Sequence, residues 1–132
     1  MPDDPQLARL LPLRPNDYHI LFALLDGPRH GYAISRIIRE HTRDQIRLEA
    51  ANLQRTVQKL IRNGLVEESD WRPAPKEDDE RRRYYALTDL GKRAVAADAA
   101  RMRGVVDAAE AKQLLTDPRG ARAGAGAGAG AR

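Results

Sequence analysis

A mostly α-helical fold with one β-hairpin is what the sequence predicts, and three observations predict it. Apolar residues recur at helical spacing in three successive segments between residues 16 and 63. Two short extended stretches then flank a loop rich in proline and acid, at 65–69 and 81–87. A long, alanine-rich helical pattern follows from Thr88. At 132 residues the chain has room for one compact domain and an appendage, and not for two full cores.

The N-terminal arm covers 1–15, where Pro2, Pro5, Pro12 and Pro15 surround Leu7, Leu10, Leu11 and Leu13. Leu7, Leu10 and Leu11 have the spacing of a short helical turn able to dock on an apolar surface. Pro15, Asn16 and Asp17 mark a helix start with acidic charge in the first turn. The run from Tyr18 to Leu25 is apolar nearly all round, which places it centrally in the core until Asp26-Gly27-Pro28 stops it. A second helix fits 30–41, with Ile34, Ile37, Ile38 and His41 on one stripe. A third fits 49–63, where Leu53, Val57, Leu60 and Ile61 form the apolar face. Its opposite face carries Ala51, Arg55, Gln58, Lys59 and Arg62, with Asn52 at the edge, and Asn63-Gly64 suits a left-handed C-cap.

The stretch Leu65 to Ser69 reads as an outgoing strand and Arg81 to Leu87 as its return. Three helices followed by a hairpin spell a winged helix-turn-helix over 16–88. Strand alternation puts Tyr85 inward with Leu87 and turns Tyr84 outward, while Trp71 reads as a lid on the wing or the first helix. Thr88 or Asp89 caps the last helix, which occupies 89–116 and runs for about 40 Å if it reaches Leu115. The tail at 117–132 alternates alanine and glycine and is expected to be disordered.

Composition excludes several classes of function. There is no cysteine, hence no disulfide, thiolate metal site or Cys nucleophile. No apolar run approaches the ~20 residues of a membrane span and no signal peptide opens the chain, so a cytoplasmic protein is expected. No glycine-rich phosphate loop and no nucleophile motif is present, so no catalytic residue, no cofactor and no enzymatic activity are expected. The three histidines have no i, i+4 partner among them, so no metal site is expected.

Charge points toward nucleic acid. The chain carries a net +4, yet 29–63 alone holds eight basic residues against three acidic ones, and seven of the eight are arginine. Arginine suits bidentate pairing with phosphates and guanine edges. In a helix-turn-helix the second helix of the pair lies in the major groove, which here is 49–63. Arg55 then reads a guanine edge, Asn52 or Gln58 an adenine edge, and Lys59 and Arg62 meet phosphate. In the wing, Arg81, Arg82 and Arg83 reach the backbone or a narrow minor groove, and an outward Tyr84 is open to phosphate. Two other readings compete: a winged-helix module that binds a protein through the same surfaces, and a nucleoid-type binder indifferent to sequence.

Three strings carry a resemblance: Leu13-Arg14-Pro15-Asn16-Asp17-Tyr18-His19-Ile20-Leu21, Gly27-Pro28-Arg29-His30-Gly31-Tyr32-Ala33-Ile34 and Arg83-Tyr84-Tyr85-Ala86-Leu87-Thr88-Asp89-Leu90-Gly91. Together, over about residues 13–92, they resemble the PadR family of bacterial transcriptional regulators, in its compact subgroup with one C-terminal helix. The resemblance implies a winged-helix homodimer that binds double-stranded DNA, usually as a repressor on a palindromic operator, with release by a small-molecule effector. It also implies that the C-terminal helix pairs with its copy, through Met102, Val105, Val106 and Ala109. That seam is poor in large side chains, so Leu7, Leu10 and Leu11 are candidates to complete it. One departure bears on DNA contact: Gln54 stands where the family places a backbone-contacting tyrosine, and Asn52 replaces a hydroxyl residue.

Overall fold

A computed structural model describes residues 4–73 and 81–115 of the chain. The elements run α1 (Pro5–Leu10), α2 (Pro15–Ala23), β1 (Arg29–His30), α3 (Gly31–His41), α4 (Ala50–Arg62), β2 (Val66–Ser69), β3 (Tyr84–Leu87) and α5 (Asp89–Ala111). The chain divides into two units, Met1–Asp98 and Ala99–Arg132. The expected Ala/Gly tail at 117–132 lies outside the described residues, as does the acidic part of the wing loop.

The core of the first unit forms because α2, α3 and α4 each bury one face against the others. Ile20 and Leu21 of α2, Ile34 and Ile38 of α3, and Val57 and Leu60 of α4 are all essentially inaccessible. Each such side chain contributes on the order of 1.5–3 kcal/mol of burial. Phe22 and Leu25, in contrast, are exposed, so the 18–25 run carries apolar side chains on its open face too and is not buried all round as expected. Thr42 ends α3 by donating its hydroxyl to the Ile38 carbonyl at 2.7 Å and accepting from the Ile46 amide at 3.2 Å. Arg43 and Asp44, at φ of 53° and 63°, then reverse the chain toward α4.

The wing is a three-stranded antiparallel sheet in the order β1-β3-β2. The short strand β1, which the hairpin reading lacked, pairs Arg29 with Tyr85 and His30 with Tyr84, while β2 sets Ser69 against Tyr84 on the other side. β3 is therefore central, and both of its tyrosines are buried. The expectation of an outward Tyr84 is corrected: His30 and Trp71 stand edge-on to its ring, with centroids at 5.5 and 5.4 Å, and the Arg72 guanidinium lies 5.4 Å from it. Trp71 thus lies on the wing.

The arm also differs from expectation. Asp4 caps α1 by accepting from the Gln6 and Leu7 amides at 2.9 and 3.5 Å. Leu7 is buried in the core of its own chain, and Leu10 and Leu11 pack against that core. Leu7 is thereby removed from the candidate dimer seam, since its surface is already covered. Asp4 also meets the Arg93 guanidinium at 2.8 Å, and the Leu13 amide donates to the buried Asp98 carboxylate at 3.3 Å.

Thr88 sets the start of α5. Its amide donates to the Leu65 carbonyl at 3.1 Å, its hydroxyl donates to the Gly64 carbonyl at 2.6 Å, and the same oxygen accepts from the Gly91 amide at 3.0 Å. In the second unit, Val105, Val106, Leu114 and Leu115 are exposed large apolar residues, and Met102 and Ala109 are half-exposed. The spacing of Met102, Val105, Val106 and Ala109 places them along one face of the helix.

Candidate nucleic-acid interface

The exposed face of α4 follows from its period. Leu53, Val57 and Leu60 turn inward, so Ala51, Arg55 and Arg62 are exposed and Asn52 and Gln58 half-exposed. Two polar clefts bracket this helix. One, of about 370 Å³, lies between the first turn of α3, Gln54 and the wing arginines Arg81, Arg82 and Arg83. The other, of about 410 Å³, is bounded by Arg14 and Asn16 at the start of α2 and by Asn52, Thr56 and Lys59 of α4.

The first cleft is built by the turn into α3. His30 precedes the helix in extended backbone, and its Nδ1 accepts from the Ala33 amide at 3.3 Å. That bond requires the ring proton on Nε2. Partial burial, then the positive charges of Arg82 and Arg36, hold the imidazole below its ordinary pKa of 6.5. Gly31 opens the helix without a side chain, and Tyr32 stands 70% exposed beside it. Gln54 donates from Nε2 to the Tyr85 hydroxyl at 3.4 Å, which ties the recognition-helix candidate to the central strand. Arg72 donates to the Arg82 carbonyl at 2.7 Å, and Arg83 faces Glu68 at 3.7 Å.

Lys59, expected to meet phosphate, is also paired within the fold. Its ammonium contacts both carboxylate oxygens of Asp17, at 2.8 and 2.9 Å, so its charge is matched within the fold. Of the sequence-derived candidates, the structure sets Asn52, Arg55, Gln58 and Arg62 on the outer face of α4. It sets Gln54 with Arg81, Arg82 and Arg83 around the wing cleft, and it takes Tyr84 out of reach. Sequence reasoning missed Tyr32, Arg14 and Asn16. Tyr32 had one available signal, a large polar-tipped aromatic in the first turn of a helix whose apolar stripe does not need it.

The outer face of α4, with Arg55 and Arg62 exposed and the wing arginines at the neighbouring cleft, suits a duplex groove with a phosphate strand on each side. Among the described residues no group of three or more His, Cys, Asp or Glu side chains is placed to hold a metal ion, and no helix is long and apolar enough to cross a membrane.

Comparison with known proteins agrees with this geometry. The model of the transcriptional regulator PadR-like family matches residues 20–97, more than half of the chain. A PadR family transcription regulator from Clostridium difficile is similar at a TM-score of 0.60 and 20% identity, over 76% of this chain and 98% of that one. RosR of H. salinarum is similar at 0.56 and 26%, over 80% and 99%. A Bacillus subtilis PadR in complex with operator DNA is similar at 0.52 and 24%, over 65% of this chain and 47% of that one. No match was found among curated proteins.

Proposed function

The chain belongs to the PadR-like family of transcriptional regulators, and from that premise we propose that it is a homodimeric, sequence-specific DNA-binding repressor. The observation that carries this reading is the outer face of α4, with Arg55 exposed at its centre between two polar clefts. In this reading α4 enters the major groove, Arg55 pairs with a guanine and Asn52 or Gln58 with an adenine. Arg62, Gln54 and the wing arginines Arg81, Arg82 and Arg83 meet phosphates, and Tyr32 joins them at the wing cleft. The similarity of the fold to a PadR in complex with operator DNA supports this placement.

The dimer forms through the stripe of α5 made by the exposed Val105 and Val106 and the half-exposed Met102 and Ala109, with Leu10 and Leu11 as the remaining arm candidates. Two-fold symmetry then demands a palindromic operator with half-sites about one helical turn apart. Residues 16–88 act as the DNA-binding part and the helix beyond as the dimerisation part. Repression, release by a small-molecule effector and a cytoplasmic location are carried over from the family resemblance.

Fluorescence anisotropy tests the reading. The protein is titrated into duplex from its own promoter and into a scrambled duplex, at ~50 and ~200 mM salt. Binding at least ~100-fold tighter to the promoter at the higher salt is the expected result. Arg55→Ala should then lose about 1–3 kcal/mol and relax the preference at one base pair of each half-site. Equal binding to both duplexes in a random-sequence selection as well would establish a sequence-indifferent binder, and no binding at either salt would overturn the DNA reading.

A further inference from the structure

We propose that His19 and His41 form a bidentate site for a divalent transition-metal ion of tetragonal preference, the copper(II) and nickel(II) class. The inference is independent of the DNA-binding reading. His19 lies within α2 and His41 is the last residue of α3. Packing of those helices brings His19 Nδ1 to 2.9 Å from His41 Nε2, across a separation of 22 residues.

The distance is that of a hydrogen bond between the rings, and it also fits one ion held by both. Two nitrogens each about 2.05 Å from one ion stand about 2.9 Å apart when the angle between the bonds is a right angle. A tetrahedral ion, the zinc preference, would set them about 3.3 Å apart. Imidazole nitrogen is also the donor that suits copper and nickel, and calcium and magnesium demand oxygen.

The two rings are held in place before any ion arrives. Tyr18 stands edge-on to the His19 ring with centroids 5.5 Å apart, and Phe22 packs against the His41 ring at 4.4 Å. Ligand capture therefore orders little that is not already ordered. In the metal-free pair one ring donates its proton to the other. On binding, that proton moves to the far nitrogen of its own ring by exchange with water, so both lone pairs converge on the ion with no net proton released.

Among the described residues no third His, Cys, Asp or Glu joins the pair, so water fills the other positions. The bound ion links α2 to the C-terminal end of α3, the helix that leads into the turn before α4.

The test is titration of the full chain with copper(II) chloride at neutral pH, read by electron paramagnetic resonance and by thermal melting. The expected result is one equivalent per chain, echo modulation from two imidazoles, and a rise in Tm. His19→Gln and His41→Gln should each lose at least about tenfold in affinity together with the Tm rise. The proposal is overturned if the wild-type spectrum shows fewer than two imidazoles, if binding is equally tight in both variants, or if copper(II) does not bind. The wild-type spectrum decides even where a variant fails to fold.

Discussion

Lys59 Nζ holds both carboxylate oxygens of Asp17, at 2.8 and 2.9 Å, and thereby pins the last turn of α4 to the first turn of α2. Asp17 is only 8% exposed, so the lysine is the partner that makes its burial tolerable. Removing the ammonium leaves a buried carboxylate unmatched. Lys59→Met should cost about 1–3 kcal/mol in urea unfolding. Because the charge is already neutralised within the fold, the same variant should leave the salt slope of DNA binding nearly unchanged. A slope reduced by about one would restore Lys59 as a phosphate contact.

Gly91 sits in the first turn of α5 directly against the backbone of Leu65, and a Cβ built there would collide with the Leu65 carbonyl oxygen. That carbonyl also accepts the Thr88 amide, so it cannot retreat without loosening the start of the helix. Gly91→Ala should therefore destabilise by about 1–3 kcal/mol despite alanine's higher helix propensity. Gly104 meets nothing within 4 Å, and Gly104→Ala should stabilise modestly. Thermal melts of the two variants shifting in the same direction would contradict this account.

The helices were legible because each shows a full apolar period: Ile34 and Ile38 in α3, and Leu53, Val57 and Leu60 in α4, are the residues that became buried. Tyr84 was misread because alternation assigns one face of a hairpin to solvent, and the covering came from Arg29–His30, a two-residue strand too short to have a pattern. Leu7 could be placed on an apolar surface, but nothing in its spacing says whether that surface belongs to its own chain or to another. Lys59 and Asp17 are 42 residues apart, and His19 and His41 22 apart. Such pairings depend on how helices dock, which local periodicity does not contain. The candidate site was legible as a face of α4 and illegible as two clefts, because Arg14, Asn16 and Tyr32 enter them from other elements.

Asp4 ties the N-terminal helix to α5 through Arg93, and that guanidinium, with the Gln6 amide next, holds the Asp4 carboxyl below its ordinary value of 3.8. A carboxylate with a lowered folded-state pKa stabilises above its unfolded value and loses that contribution as pH falls through the folded one. The tether should therefore be intact at neutral pH and fade only in strong acid. Both groups are open to solvent, so salt should weaken it as well. Asp4→Asn should remove the acid-dependent part of α1 protection in hydrogen exchange between about pH 5 and about pH 2. An unchanged profile would mean that Leu7 burial alone holds the arm.

His30 is the other acid-sensitive joint, and its sign is fixed by the cap it makes. Nδ1 accepts from the Ala33 amide only while it carries no proton, and partial burial with Arg82 and Arg36 nearby keeps the folded-state pKa below the ordinary 6.5. Between those two values the unfolded chain binds the extra proton, so stability is complete above 6.5 and declines as pH falls below it. His19 shifts in the same direction and must be separated from it. Asparagine keeps an N-cap acceptor without titrating. His30→Asn should flatten the fall in urea midpoint between about pH 8 and about pH 5.5, and His19→Gln should remove only its own share. If His30→Asn leaves the slope untouched, the capping imidazole does not titrate in this window, and the acid sensitivity belongs to His19.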